Sequence, residues 1–214
     1  SSERRGTGPH APALTWGDMW TEFFAEHARL SLTLHLAGVA VGMGGATITD
    51  ILFFNFLRDY RISPKEVEVM HVLSRVIMAA LVILYLSGAA LVLSDPARFG
   101  SSPAFLAKAA ILVILTVNGV LMHALVAPHM VHLSFRDHPQ QARREMRRLR
   151  MLAFAMGSVS LVSWYSVFLI AMLKSYFPAG VTALHIVGVY AVAVCCAVAV
   201  SQVLRVQLHR RSKQ

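Results

Sequence analysis

Five apolar segments dominate this chain. They run from about residue 29 to 57, 67 to 93, 105 to 133, 149 to 173 and 181 to 206. Each is longer than the roughly 20 residues a helix needs to cross the hydrocarbon core of a bilayer. Continuous apolar runs of this kind satisfy their backbone only as helices, because lipid offers no hydrogen bonds to an open strand edge. The expected fold is therefore all-α, an integral membrane bundle of five transmembrane helices.

Composition agrees. Of 214 residues, 56% are hydrophobic and only 14% charged, whereas an ordinary soluble domain carries roughly 25% charged residues. The mean hydropathy of +0.58 excludes a soluble globule. The net charge of +9 does not point to nucleic acid, because the basic residues flank apolar runs without interleaved aromatics. Motifs of soluble enzymes (GxGxxG after a strand, GxxxxGK[ST], HExxH, GxSxG) are missing from the sequence. Cys195 and Cys196 are adjacent inside an apolar run, a spacing that suits neither a disulfide framework nor a thiolate metal site and reads as small buried apolar residues.

Residues 1–13 read as a mobile tail. Arg4 and Arg5 start it, but no apolar stretch follows at signal-peptide distance. From Leu14 to Ala28, Trp16, Trp20, Phe23, Phe24 and His27 recur at helical spacing opposite Asp18, Glu22 and Glu26. This predicts an interfacial amphipathic helix with tryptophan at headgroup depth. The organisation expected is thus 1–28 tail and interfacial helix, 29–206 membrane domain, and 207–214 basic tail.

The breaks between segments are Arg58–Pro64, Ser94–Pro103, Arg136–Arg150 and Pro178–Gly180. With five spans, Arg58, Arg61 and Lys65, the arginines of 136–150, and Arg205, Arg210, Arg211 and Lys213 share one side. The other side has Arg98 and Lys174 in its loops. The positive-inside rule places the rich side in the cytoplasm, with the N-terminus outside and the C-terminus inside a bacterial inner (plasma) membrane. Arg4, Arg5 and Arg29 run against that bias. The arginine run is a topology signal on a solvated helical turn, and anionic headgroups are its nearest partner.

Ionisable groups inside a bilayer are functional candidates. The chain has ten histidines. His10, His138 and His209 fall in tails or loops, and His27 and His132 near headgroups. At 1.5 Å per residue, His35 and His185 lie about 10 and 13 Å outward from the middles of their helices. His71, His123 and His129 lie about 13, 7 and 16 Å inward, and Asp50 about 12 Å inward. Two histidine layers on different helices are the arrangement that holds two b-type haems, one per leaflet. The outer haem would use His35 and His185, and the inner one His71 with His123 or His129.

Small residues beside these histidines (Gly38, Gly42, Gly45 and Thr49; Thr116 and Gly119; Gly188) leave room for a flat cofactor or, equally, let helices pack closely. Asp50 could orient an inner histidine, pair with Arg75, ligate a divalent metal with His71 and His129, or relay protons. Asn118, Ser160, Ser163 and Trp164 read as interhelical glue.

Over roughly residues 29–206 the chain resembles small bacterial membrane cytochromes b and copper-resistance D-type membrane proteins. The resemblance rests on a helical bundle with His35, His71, His123 or His129, and His185 in matched layers. It differs from the usual four-helix version in which helices carry the ligands. The resulting expectation is a haem-b protein that relays electrons across the bilayer, exchanging them with quinone or another redox protein. The alternatives are a metal-ion or proton transporter using Asp50 and the inner histidines, and an accessory subunit of a larger membrane complex or homo-oligomer.

Overall fold

The computed structural model describes residues 16–58, 64–126 and 139–211. The expected tail at 1–13 and His129 lie outside the described residues. Within them, the chain is helical without strands. Helix α1 is Trp16–Glu26, α2 Ala28–Arg58, α3 Pro64–Ser94, α4 Pro96–Gly100 and α5 Pro103–Leu121. One π-helical turn, Met122–Val126, continues α5. Then come α6, Pro139–Leu173, a 3-10 turn at Lys174–Tyr176, and α7, Ala183–Arg211. Five of these helices, α2, α3, α5, α6 and α7, are long and apolar enough to cross a membrane, as a multi-pass membrane protein requires.

Local chemistry sets the helix starts. Asp95 accepts from the Arg98 amide at 3.1 Å and Pro96 follows it, so α4 begins with a capped donor and a residue that has none to satisfy. Ser102 and Pro103 repeat the device for α5, with Ser102 accepting from Phe105 at 3.3 Å. The largest departure from the sequence reading lies at α6. Residues 139–150, expected as part of a polar break, are the first turns of one long helix. Pro139 stands at its first position, and the Gln, Ala, Arg, Glu, Met and Leu that follow are good helix formers. This arginine-bearing extension adds about 18 Å beyond the apolar part of the helix.

Helix α6 is the hub. It packs against α2, α5 and α7, while α2 also lies along α3, α5 along α7, and α1 rests on α3. The α2–α3 pair is antiparallel and close. A Cβ at Gly38 would sit 3.2 Å from Leu84 and 3.3 Å from the Ala80 carbonyl, and one at Gly45 would sit 3.1 Å from Ile77. At Gly42 a Cβ would overlap the indole of Trp164 from α6. Trp164 is 1% exposed and shares a buried cluster with Ala46, Leu81, Leu84 and Leu115, in which α2, α3, α5 and α6 meet. The small-residue stripe of α2 is therefore filled by neighbouring side chains. Gly119 and Gly188, by contrast, have nothing within 4 Å of where a Cβ would stand.

Helix α7 is peripheral, with 6% of its span buried against up to 22% for α2 and α3. That position corrects the reading of Cys195 and Cys196. Both are free thiols on the exposed surface of α7 rather than buried core residues. Hydroxyls and amides tie the hub to its neighbours. The Ser163 and Tyr190 hydroxyls bond at 2.8 Å, Asn118 donates to the Met156 carbonyl at 3.0 Å, and Gln202 donates to the Met151 carbonyl at 3.2 Å.

If the indole is what sets the spacing of the bundle, Trp164→Ala lowers its stability by about 3 kcal/mol, the range for emptying a large buried aromatic site. Ser163→Ala, which removes one interhelical bond, costs about 0.6 kcal/mol. Unfolding from mixed micelles by increasing SDS measures both. Equal losses in the two variants would show that the spacing does not depend on Trp164.

Candidate functional site

Three of the sequence-derived histidines in the described residues, His35, His123 and His185, engage a neighbour through Nδ1. The His35 ring, half-buried on α2, faces α3, with Nδ1 3.1 Å from Ser87 Oγ and Cε1 3.5 Å from where a Cβ on Gly88 would stand. Ser87 donates its own proton to the Ile83 carbonyl at 2.6 Å. Its oxygen is therefore the acceptor toward His35, which fixes the proton on Nδ1 and leaves the Nε2 lone pair unused.

His185 is bound differently. Its Nδ1 lies 3.3 Å from the Thr182 amide and 2.8 Å from the Thr182 hydroxyl, while Thr182 Oγ1 faces the His185 amide at 3.4 Å. The backbone amide can only donate, so Nδ1 is the acceptor and the proton sits on Nε2. This is a capping box in which histidine takes the place of Glu or Gln at the third helical position. His185 thus caps α7, and its Nδ1 is taken up by Thr182, while that of His35 is taken up by Ser87.

At the end of the bundle away from His35, His123 lies in the π turn and its Nδ1 is 3.1 Å from Ser74 of α3. His71 is one helical turn before Ser74, on the same side of α3, and is exposed. The Ser74–His123 contact crosses the α3–α5 boundary, which Tyr85 and Thr116 also bridge at 2.8 Å. π turns are frequent at functional sites, and His123 sits in one.

Among the described residues, Asp50 has neither Arg75 nor a histidine as a hydrogen-bond partner. It faces α6, not Arg75. Its Oδ1 lies 3.0 Å from where a Cβ on Gly157 would stand, so any larger residue there would press on the carboxyl. Oδ2 is buried and has no hydrogen-bond partner among the described residues. Asp50 forms the polar end of a cleft of about 280 Å³ on α6, between α2 and α7. The floor is Ala153, Phe154, Gly157, Ser158, Leu161 and Val162, and α7 supplies Ala197, Val200, Ser201 and Leu204. The carboxyl is about 12 Å along α2 from Arg58, inside the apolar span. Among the described residues, no three of His, Cys, Asp and Glu gather into a group that could hold a metal ion.

One ionisable residue escaped the sequence reading. Lys108, in the second turn of α5, is partly buried within the third span and lies within electrostatic reach of His35 and of Lys174. A lysine in an apolar run is as conspicuous as an aspartate, but counting loop charges alone passes over it.

A scan against protein families and searches of curated proteins and of solved structures return no match for this chain.

The capping geometry of His185 makes a specific expectation. Thr182→Ala costs about 1 kcal/mol of stability through loss of the cap. His185→Gln, which preserves an acceptor at the third helical position, is close to neutral. SDS titration of both variants separates the roles, and a large loss in His185→Gln would show that the ring does more than cap.

Proposed function

We propose that this protein is a multi-pass membrane protein that conducts protons, with Asp50 as the group that takes up and releases them. One observation carries the reading. A carboxyl oxygen is buried in an apolar cleft, with no donor supplied by the described residues. A polar group so placed is costly unless something satisfies it, and in a bilayer such groups mark ion and proton pathways. A proton is the simplest supplier. A metal ion is a poorer fit, because no histidine, cysteine or second carboxylate among the described residues gathers around the carboxyl to complete a ligand set.

The basic loops, the α6 extension and the C-terminus would face the cytoplasm, with the N-terminus outside the inner membrane of a bacterium. In that orientation Asp50 and the Ser74–His123 contact lie in the inner half of the bilayer. Protons reaching Asp50 from the cytoplasm then cross only the last two to three turns of α2.

The test is proton flux. Purified protein is reconstituted in vesicles containing a pH-sensitive dye, and a potassium diffusion potential is imposed with valinomycin. The wild type accelerates the dye response over empty vesicles. Asp50→Asn, similar in shape but unable to exchange a proton, slows it by about 10²-fold, the scale for losing a positioned proton-transfer group. Asp50→Glu retains flux. Equal rates for wild type, Asp50→Asn and empty vesicles would overturn the reading.

A second reading is favoured by a different observation. Ser87 holds His35 in the tautomer whose Nε2 is a free ligand, as hydroxyl and carbonyl partners do for metal-bound imidazoles. His35 at the outer side, and His71 with His123 at the inner side, would be the residues that bind haem b in an electron relay to quinone or a redox partner. A reduced-minus-oxidised spectrum of protein expressed with ample haem decides it. A Soret band lost in His35→Ala supports the cytochrome, and a colourless wild type ends it.

A further inference from the structure

The polar atoms of the Asp50 cleft have one character. Ser158 spends its hydroxyl proton on the Phe154 carbonyl at 2.8 Å, and Ser201 spends its own on the Val198 carbonyl, also at 2.8 Å. Both hydroxyls therefore present only oxygen lone pairs to the cleft. Asp50 in its ionised form likewise only accepts. The remaining lining is aliphatic apart from Phe154, and the helical backbone spends its amides internally. The cleft thus combines apolar walls, acceptors without donors, and one acidic group at its end.

We propose that this cleft binds a lipophilic ammonium ion, a compact apolar body carrying one protonated amine. An ammonium has three donors and no acceptor, the converse of what Asp50, Ser158 and Ser201 offer. A charge-assisted hydrogen bond to Oδ2 would satisfy the oxygen that the protein leaves without a partner. Anionic or acceptor-only heads are rejected by the same atoms, since they would leave both sides unpaired. The volume of about 280 Å³ is at the small end of ligand pockets, so a cage or ring system fits and a phospholipid does not. Such a molecule reaches the cleft through the bilayer, because its walls stand at the lipid-facing boundary of α2, α6 and α7. The inference rests on Asp50 being an exchangeable group, and it predicts that the ammonium ion and the proton compete for the same oxygen.

The probe is 1-adamantylammonium, titrated into wild-type protein in nanodiscs by calorimetry, with 1-adamantanol and 1-adamantanecarboxylate as neutral and anionic controls. The ammonium binds wild type at least about tenfold more tightly than either control. Asp50→Asn removes that preference. Ala197→Leu, which fills the wall without touching the carboxyl, weakens binding in protein whose helical content and elution are unchanged. Equal affinity for all three probes, or full ammonium binding by Asp50→Asn, overturns the inference. If Asp50-dependent proton flux is present and the ammonium neither binds nor slows it, the ligand assignment fails and the proton reading stands. If the ammonium binds at Asp50 and no flux is seen, the proton reading fails and the ligand site stands.

Discussion

The contact between the Trp164 indole and the bare backbone at Gly42 sets the distance between α2 and α6. In a bilayer, lipid tails are as apolar as leucine, so helices gain little by hiding apolar surface from them. What remains is close packing, and a glycine facing a tryptophan makes the most of it. The indole belongs to one buried cluster with Leu81 and Leu84 of α3 and Leu115 of α5, so four helices meet around it. Two further turns along α2, the same close approach brings Asp50 over Gly157. A bulkier residue at position 42 would move α2 outward and open the carboxyl to lipid.

Hydroxyl groups in this bundle are used with a consistent economy. Ser87, Ser158, Ser163 and Thr116 each donate to a carbonyl three or four residues back on their own helix. That local bond satisfies the proton and leaves an oxygen facing a neighbour. Where the neighbour brings a donor, as His35 does to Ser87 or Tyr190 to Ser163, an interhelical link results. Where no donor arrives, as at Ser158 and Ser201, the oxygen remains available. The acceptor-rich cleft is thus a consequence of how short hydroxyl side chains behave in helices. It does not need a specially built loop.

Much of the architecture was legible in the sequence because the bilayer imposes a single requirement, some 20 apolar residues in a row. Arg143 to Arg150 were harder to place. Polarity marks where a span ends, but good helix formers carry the helix onward. The histidines were legible as intramembrane groups and not as partners. Depth follows from counting residues, whereas rotation and pairing depend on how Trp164 and Gly42 set the helices, which no periodicity encodes. His185 looked like a ligand because its cap partner, Thr182, belongs to the loop before the helix. Asp50 invited pairing with Arg75 by charge, yet its neighbour is Gly157, a residue that signals only by lacking a side chain. The glycine stripe of α2 was consistent with a cofactor slot or with close packing, and the bulk of Trp164, Leu84 and Ile77 decides for packing.

Asp50 is not explained by the fold that surrounds it. Packing α2 against α6 at Gly157 requires only a side chain small enough to approach glycine, and Ala or Ser would do so without burying an unsatisfied oxygen. Placing a carboxyl there costs free energy that nothing in the described contacts returns. The bundle tolerates it because the close-packed layer around Trp164, two turns away, holds α2 and α6 together independently. The indole carries the stability, and the carboxyl is left free of structural duty, which is the condition under which a buried acid can exchange its proton or its partner without unfolding the protein.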